Sequence, residues 1–104
     1  MSTLKEREEA FERKFAHDEE TKFKIISRRN RLLGVWAAKK LGKDPEAYVS
    51  EVIKADLREK GDEDVFRKIR ADFDAAGISI SDEEIRTRMV DLLTEATNQI
   101  NPQD

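Results

Sequence analysis

Apolar residues recur every three or four positions in four stretches of this chain. That spacing keeps one face of an α-helix apolar. The first stretch is the longest. Phe23, Ile26, Leu33, Ala37 and Leu41 share one stripe, Asn30 fills its missing position and Trp36 flanks it. No proline interrupts the run, so it predicts a helix over 18–42, about 35 Å long at ~1.5 Å per residue. Tyr48, Val49, Val52, Ile53, Ala55 and Leu57 predict a second helix over 45–60. Val65, Phe66, Ile69 and Phe73 predict a third over 63–76, and Ile85, Met89, Leu92, Leu93, Ala96 and Ile100 a fourth over 82–100. Ile78-Ser79-Ile80 alternates like a strand, but three residues without a partner do not make a sheet.

The polar residues between these stretches are stop and start signals. Asp18 is placed to cap the first helix, with Glu19 and Glu20 in the turn where the helix dipole favours acids. Lys39, Lys40 and Lys43 sit at its other end, and Gly42 suits the left-handed residue past a helix terminus. Asp44 caps the second helix with Pro45 in first position, where its missing N–H costs nothing. Gly61 ends that helix, and Asp62 caps the third. Gly77 stops the third, and Ser81 to Glu84 is a capping box with Ile80 and Ile85 as its staple. Pro102 lies past the fourth helix. Gly34 falls mid-helix at a cost of ~1 kcal/mol against alanine, which predicts another backbone close by. Together these signals predict an all-α fold, a four-helix bundle over 18–104 with short loops.

Residues 1–17 read differently. Thr3 to Glu6 fits a capping box, and Glu9 with Arg13 is a favourable i,i+4 pair. Leu4, Phe11 and Phe15 make a stripe too thin to anchor the segment to a core. A helix this short is marginal alone in water. The expectation is a mobile, partly helical N-terminal arm that orders on a partner.

At 104 residues the chain is one domain with an arm, and 41 % charged residues against 38 % apolar suits helices with solvated outer faces. There is no cysteine, so no disulfide, thiolate metal site or cysteine nucleophile. No apolar run approaches ~18 residues, so the expectation is a soluble, cytoplasmic protein without direct membrane insertion. The net charge of −3 hides a division: residues 19–43 carry eight bases and two acids, residues 44–104 sixteen acids and eight bases. A basic long helix facing acidic ones would help fix their arrangement.

Candidate chemistry is sparse. His17 is the only histidine, and its acidic neighbours point in different directions along a helix, so no metal site is expected. No nucleophile motif, phosphate loop or glycine-rich dinucleotide fingerprint occurs, so neither an enzyme nor a cofactor is expected. Arg28, Arg29 and Arg31 form the strongest basic cluster, although on a helix they fan apart. Overall acidity argues against nucleic acid. Asn30 on the apolar stripe must find partners if buried, and Trp36 is either core or, beside Gly34, a docking anchor.

The strings KFAHDEETKFK (14–24) and RRNRLLGVWAAKKLG (28–42), with EDVFRKIRAD (63–72) and EEIRTRMVDL (83–92), resemble the zeta subunit family, bacterial inhibitors of the F-type ATP synthase. The resemblance covers nearly the whole chain. Val35 departs from it where an acidic residue is common, and Leu4 where phenylalanine is frequent. It implies a protein, monomeric when free, that binds the catalytic head, blocks ATP hydrolysis, and is peripheral to the inner membrane when bound. It implies that the N-terminal segment enters a catalytic interface as a helix facing the rotor. Leu4, Phe11 and Phe15 would then fill apolar pockets, and Arg7, Glu8, Arg13, Lys14 and His17 would make the polar contacts. Arg28, Arg29, Arg31 and Trp36 are left for a secondary contact or a weakly bound adenine nucleotide. The alternative reading is a nucleotide- or nucleic-acid-binding helical module built on those three arginines.

Overall fold

The structure, a computed structural model, describes residues 19–56 and 62–100. It contains four helices: α1 (Glu19–Leu41), α2 (Pro45–Asp56), α3 (Glu63–Ala75) and α4 (Asp82–Ile100). No strand occurs among the described residues, and Ile78 to Ile80 is a connection, as the spacing predicts. The helix limits fall within a residue of those expected wherever the chain is described. Residues 1–18, 57–61 and 101–104, and with them the predicted arm, the Asp18 cap and the last turn of the second helix, lie outside the described residues.

The helix ends follow from local chemistry. Asp44 Oδ2 accepts from the Ala47 N–H at 3.0 Å, and Ser81 Oγ accepts from the Glu84 N–H at 3.0 Å, so two orphan donors are satisfied as predicted. Gly77 has φ +70°, and its N–H donates to Asp74 O at 3.1 Å while Ile78 N–H donates to Phe73 O at 2.9 Å. This is a Schellman ending, whose left-handed residue costs glycine nothing. Gly42, also at φ +70°, ends α1 in the same way, with Lys43 N–H donating to Ala38 O.

α1 is the axis of the fold. It packs along α2 on one side and α4 on the other, while α3 closes the far side against those two. Both neighbours run antiparallel to α1: Asn30 bonds Asp56 and Gly34 meets Val49 on α2, whereas Arg28 meets Gln99 and Trp36 meets Arg88 on α4. The core collects Leu33, Ala37, Tyr48, Val52, Ile69, Phe73, Ile85 and Met89, with a smaller cluster of Ile25, Leu93 and Ala96 toward the start of α1. The close approach expected at Gly34 is present, since a Cβ there would lie 2.8 Å from Val49 Cγ2.

Three expectations are corrected. Phe23, expected on the buried stripe, is 69 % exposed, and Ile53 of α2 is exposed at 41 %. Phe23 lies eleven residues back from Gly34, whereas α2 runs only seven from Val49 to Asp56. Ile25, two positions on and so about 200° round the helix, takes the place against Leu93 and Ala96 on α4, and Phe23 faces away from it. Ile53 sits one turn beyond Val49 on the side of Glu46, at the rim of the α1–α2 contact. Asp62 makes no side-chain cap on α3, because its backbone (φ −99°, ψ −3°) is already helical and its carboxylate is engaged elsewhere.

Candidate functional site

The polar side chains that the fold gathers form two networks, one at each edge of α2. The first begins with Arg29, the largest fully buried side chain among the described residues at 1 % exposure. Its Nη2 donates to Asp62 Oδ1 at 2.8 Å, across 33 positions of sequence, and its Nε donates to Asn30 Oδ1 at 2.8 Å. Asn30, 2 % exposed, also hydrogen-bonds Asp56, so the buried asparagine finds the partners it requires. Burial raises the Asp56 carboxyl above the usual carboxylate range, and Asp62 and Asp64 raise it further, while Arg29 and Asn30 oppose the shift. One buried guanidinium therefore serves two carboxylates, Asp62 directly and Asp56 through its charge, beside Asp64, which pairs with Arg67 at 3.0 Å.

The second network lines a cleft of about 460 Å³ between α2 and α3, walled by Glu51, Lys54, Asp64, Arg67, Lys68 and Asp72. Tyr48 Oη donates to Asp72 Oδ2 at 2.7 Å, and Lys68 Nζ donates to both Asp72 Oδ2 and Glu51 Oε1 at 2.9 Å. Burial, then the Asp72 carboxylate, pushes the Tyr48 phenol far above its ordinary value. Burial alone would raise Asp72, but the Tyr48 and Lys68 hydrogen bonds outweigh it and hold the carboxyl low. Lys68 is held up in turn, its bonds to Glu51 and Asp72 outweighing the desolvation that opposes them. Lys68 is matched by Glu51 and Asp72, and Arg67 by Asp64 at 3.0 Å, so these two cations serve structure. Sequence reasoning missed this network, although a lone tyrosine on an apolar helix face is itself a signal, because its hydroxyl must find a partner.

The Tyr48 shift sets an alkaline limit. An unfolded tyrosine ionises near pH 10. Above that value the unfolded chain releases a proton that the folded chain keeps, so stability falls as pH rises, by up to about 1.4 kcal/mol per pH unit. Urea unfolding between pH 9 and 11.5 should show this decline, and Tyr48→Phe should flatten it.

The candidate residues from the sequence are distributed as follows. Leu4, Arg7, Glu8, Phe11, Arg13, Lys14, Phe15 and His17 lie outside the described residues. Arg28, Arg29 and Arg31 are brought to three separate places. Arg28 Nη1 donates to Gln99 Oε1 at 2.8 Å on α4, Arg29 is buried with Asp62, and Arg31 Nη2 donates to Glu46 Oε1 at 2.7 Å on α2. They do not form a common cradle for phosphate. Trp36 is half-buried, edge-on to Phe73 at 5.6 Å and 83°, with Arg88 and Lys40 over its ring at 5.4 and 5.8 Å. No group of three histidine, cysteine or carboxylate side chains able to hold a metal occurs among the described residues, and no described helix is long and apolar enough to cross a membrane.

Two bases of the long helix, Arg29 and Arg31, are thus paired with acids from beyond it. A family model described as ATPase inhibitor subunit zeta matches residues 1–99. The chain belongs to that family. No curated protein matches it. As a member of the ATPase inhibitor subunit zeta family it falls among regulatory subunits, and the family match takes in both the segment 1–17 and all four helices. Of the residues in the first network, Arg29 and Asn30 fall within the strings quoted above, and Asp62 directly precedes one of them.

Proposed function

We propose that this chain inhibits ATP hydrolysis by the F-type ATP synthase, with residues 1–17 entering a catalytic subunit interface as a helix while the bundle from residue 18 on stays outside. The observation that carries this reading is the family match, which begins at residue 1 and so includes the leading segment. The residues of that segment suit the task. Leu4, Phe11 and Phe15 each gain ~1.5–3 kcal/mol on full burial, which offsets the entropy of ordering the backbone. Arg7, Glu8, Arg13, Lys14 and His17 flank them for polar contacts. A helix wedged between subunits blocks the closure that hydrolysis needs, so the protein acts as a peripheral, non-catalytic regulator. The bundle supports this role with ion pairs of its own between elements, Arg29–Asp62, Arg31–Glu46 and Lys68–Glu51 among them.

The test is ATPase activity of the purified catalytic head with full-length protein and with a variant lacking residues 2–17. Inhibition should disappear with the deletion, while the helical content and unfolding temperature of the bundle are kept. A truncated protein that inhibits as well as the full chain would overturn the arm mechanism.

A further inference from the structure

We infer that the exposed strip marked by Phe23 and Ile53 is the bundle's own seat on the partner that receives the leading segment, resting on an apolar surface at the rim of that partner's cleft. The inference rests on the reading just given and names a contact outside the arm. Phe23 and Ile53 are the exposed large apolar side chains among the described residues, at 69 % and 41 %. Phe23 lies near the start of α1 and Ile53 near the Asp56 end of α2, and the Asn30–Asp56 bond with the Gly34–Val49 contact puts both at the same end of the bundle. The eighteen residues that precede α1 join it at Glu19, four positions from Phe23 and so about 6 Å along the axis. Whatever holds that segment must therefore come within reach of the Phe23 ring.

The surroundings fit such a seat. Lys24 pairs with Glu20 at 3.4 Å beside Phe23, and Arg31 pairs with Glu46 at 2.7 Å on the Ile53 side. The strip is apolar with a charge-balanced border, the usual arrangement of centre and rim in an interface. It is also small. Two side chains fall far short of the ~800 Å² that each partner gives to a stable interface. The strip therefore adds to a contact made elsewhere, which points to the partner already gripping the arm. The competing occupant is the leading segment folded back along α1, which would hide Leu4, Phe11 and Phe15.

The experiment measures inhibition of the purified catalytic head by full-length Phe23→Ala, full-length Ile53→Ala and the chain lacking residues 2–17. A second readout is photo-crosslinking from a benzophenone side chain at position 23 to the same head. Phe23→Ala should raise the concentration for half-inhibition roughly tenfold, as befits a large apolar side chain buried on binding. Its unfolding temperature should not change, and position 23 should crosslink to a head subunit. Unaltered inhibition by Phe23→Ala, with the deletion inactive, would overturn the seat and leave the arm mechanism standing. Stronger inhibition by Phe23→Ala, with crosslinks within the chain to residues 1–17, would assign the strip to the folded-back segment instead. A deletion that still inhibits would overturn the arm mechanism itself.

Discussion

Arg29→Ala is expected to destabilise the bundle by about 3–5 kcal/mol, a large part of the ~5–15 kcal/mol that holds a domain of this size. Two effects add. The guanidinium is 1 % exposed and bonded to Asp62 and Asn30, so its loss leaves the Asp62 carboxylate unpaired and removes the cation that opposes the upward shift of Asp56. Arg29 is also a large buried side chain, so alanine leaves a void where its stem packed. Thermal unfolding followed by circular dichroism should show a fall of roughly 15 °C or more. Arg31→Ala is the control. Its pair with Glu46 is solvent-exposed at 52 % and 71 %, and such pairs contribute under about 1 kcal/mol. Equal effects of the two substitutions would contradict the buried-network account. Arg29→Met separates the two contributions, because methionine refills much of the stem volume while leaving the acids unpaired. It should recover only part of the loss.

This network also shows where the sequence stops being informative. Helix number, order and ends could be read from residues close together in the chain. Asp44, Ser81, Gly42 and Gly77 act within five positions of themselves, and the structure places each as the local rules require. The inside and outside of α1 were less legible. A period of three and four assigns Phe23 to the core and leaves Arg29 as a surface base, and the structure reverses both. Phe23 fails because the neighbouring helix selects which side of α1 is covered, and near the start of α1 that side is the one of Ile25, which packs on Leu93 and Ala96. Arg29 fails because its acid comes from 33 positions away, at the start of α3, a pairing that no local pattern contains. Asp62 follows from the same cause: a carboxylate that looks like a cap in isolation is drawn to a buried guanidinium, where it meets a full opposite charge that would otherwise be buried unpaired. The Tyr48–Asp72 bond, 24 positions apart, is hidden for the same reason. For the candidate site, the residue pattern supplied only an amphipathic leading segment and a basic cluster. The role of that segment rests on resemblance and family membership, because a short helix with three large apolar residues suits many clefts.

Gly34→Leu is expected to be the second most damaging change, at about 3 kcal/mol, through steric overlap rather than charge. At this position α1 and α2 come so close that even a Cβ would sit 2.8 Å from Val49 Cγ2 and 3.0 Å from Val49 Cα. The second distance matters more. A side-chain methyl can be displaced at modest cost, but a backbone carbon moves only if the whole of α2 shifts. Gly34→Ala sets two effects against each other. Alanine gains about 1 kcal/mol of helix propensity, while overpacking a close contact costs about 1–3 kcal/mol. The backbone contact decides for the clash, so Gly34→Ala should be mildly destabilising and Gly34→Leu much more so, because its further atoms have no space between the helices. A double-mutant cycle with Val49→Ala tests the cause. Removing Cγ2 should relieve part of the Gly34→Ala penalty and leave the part due to Cα. Full rescue would mean that the helices part easily, and stabilisation by Gly34→Ala alone would show that the glycine is not there to let α1 and α2 touch.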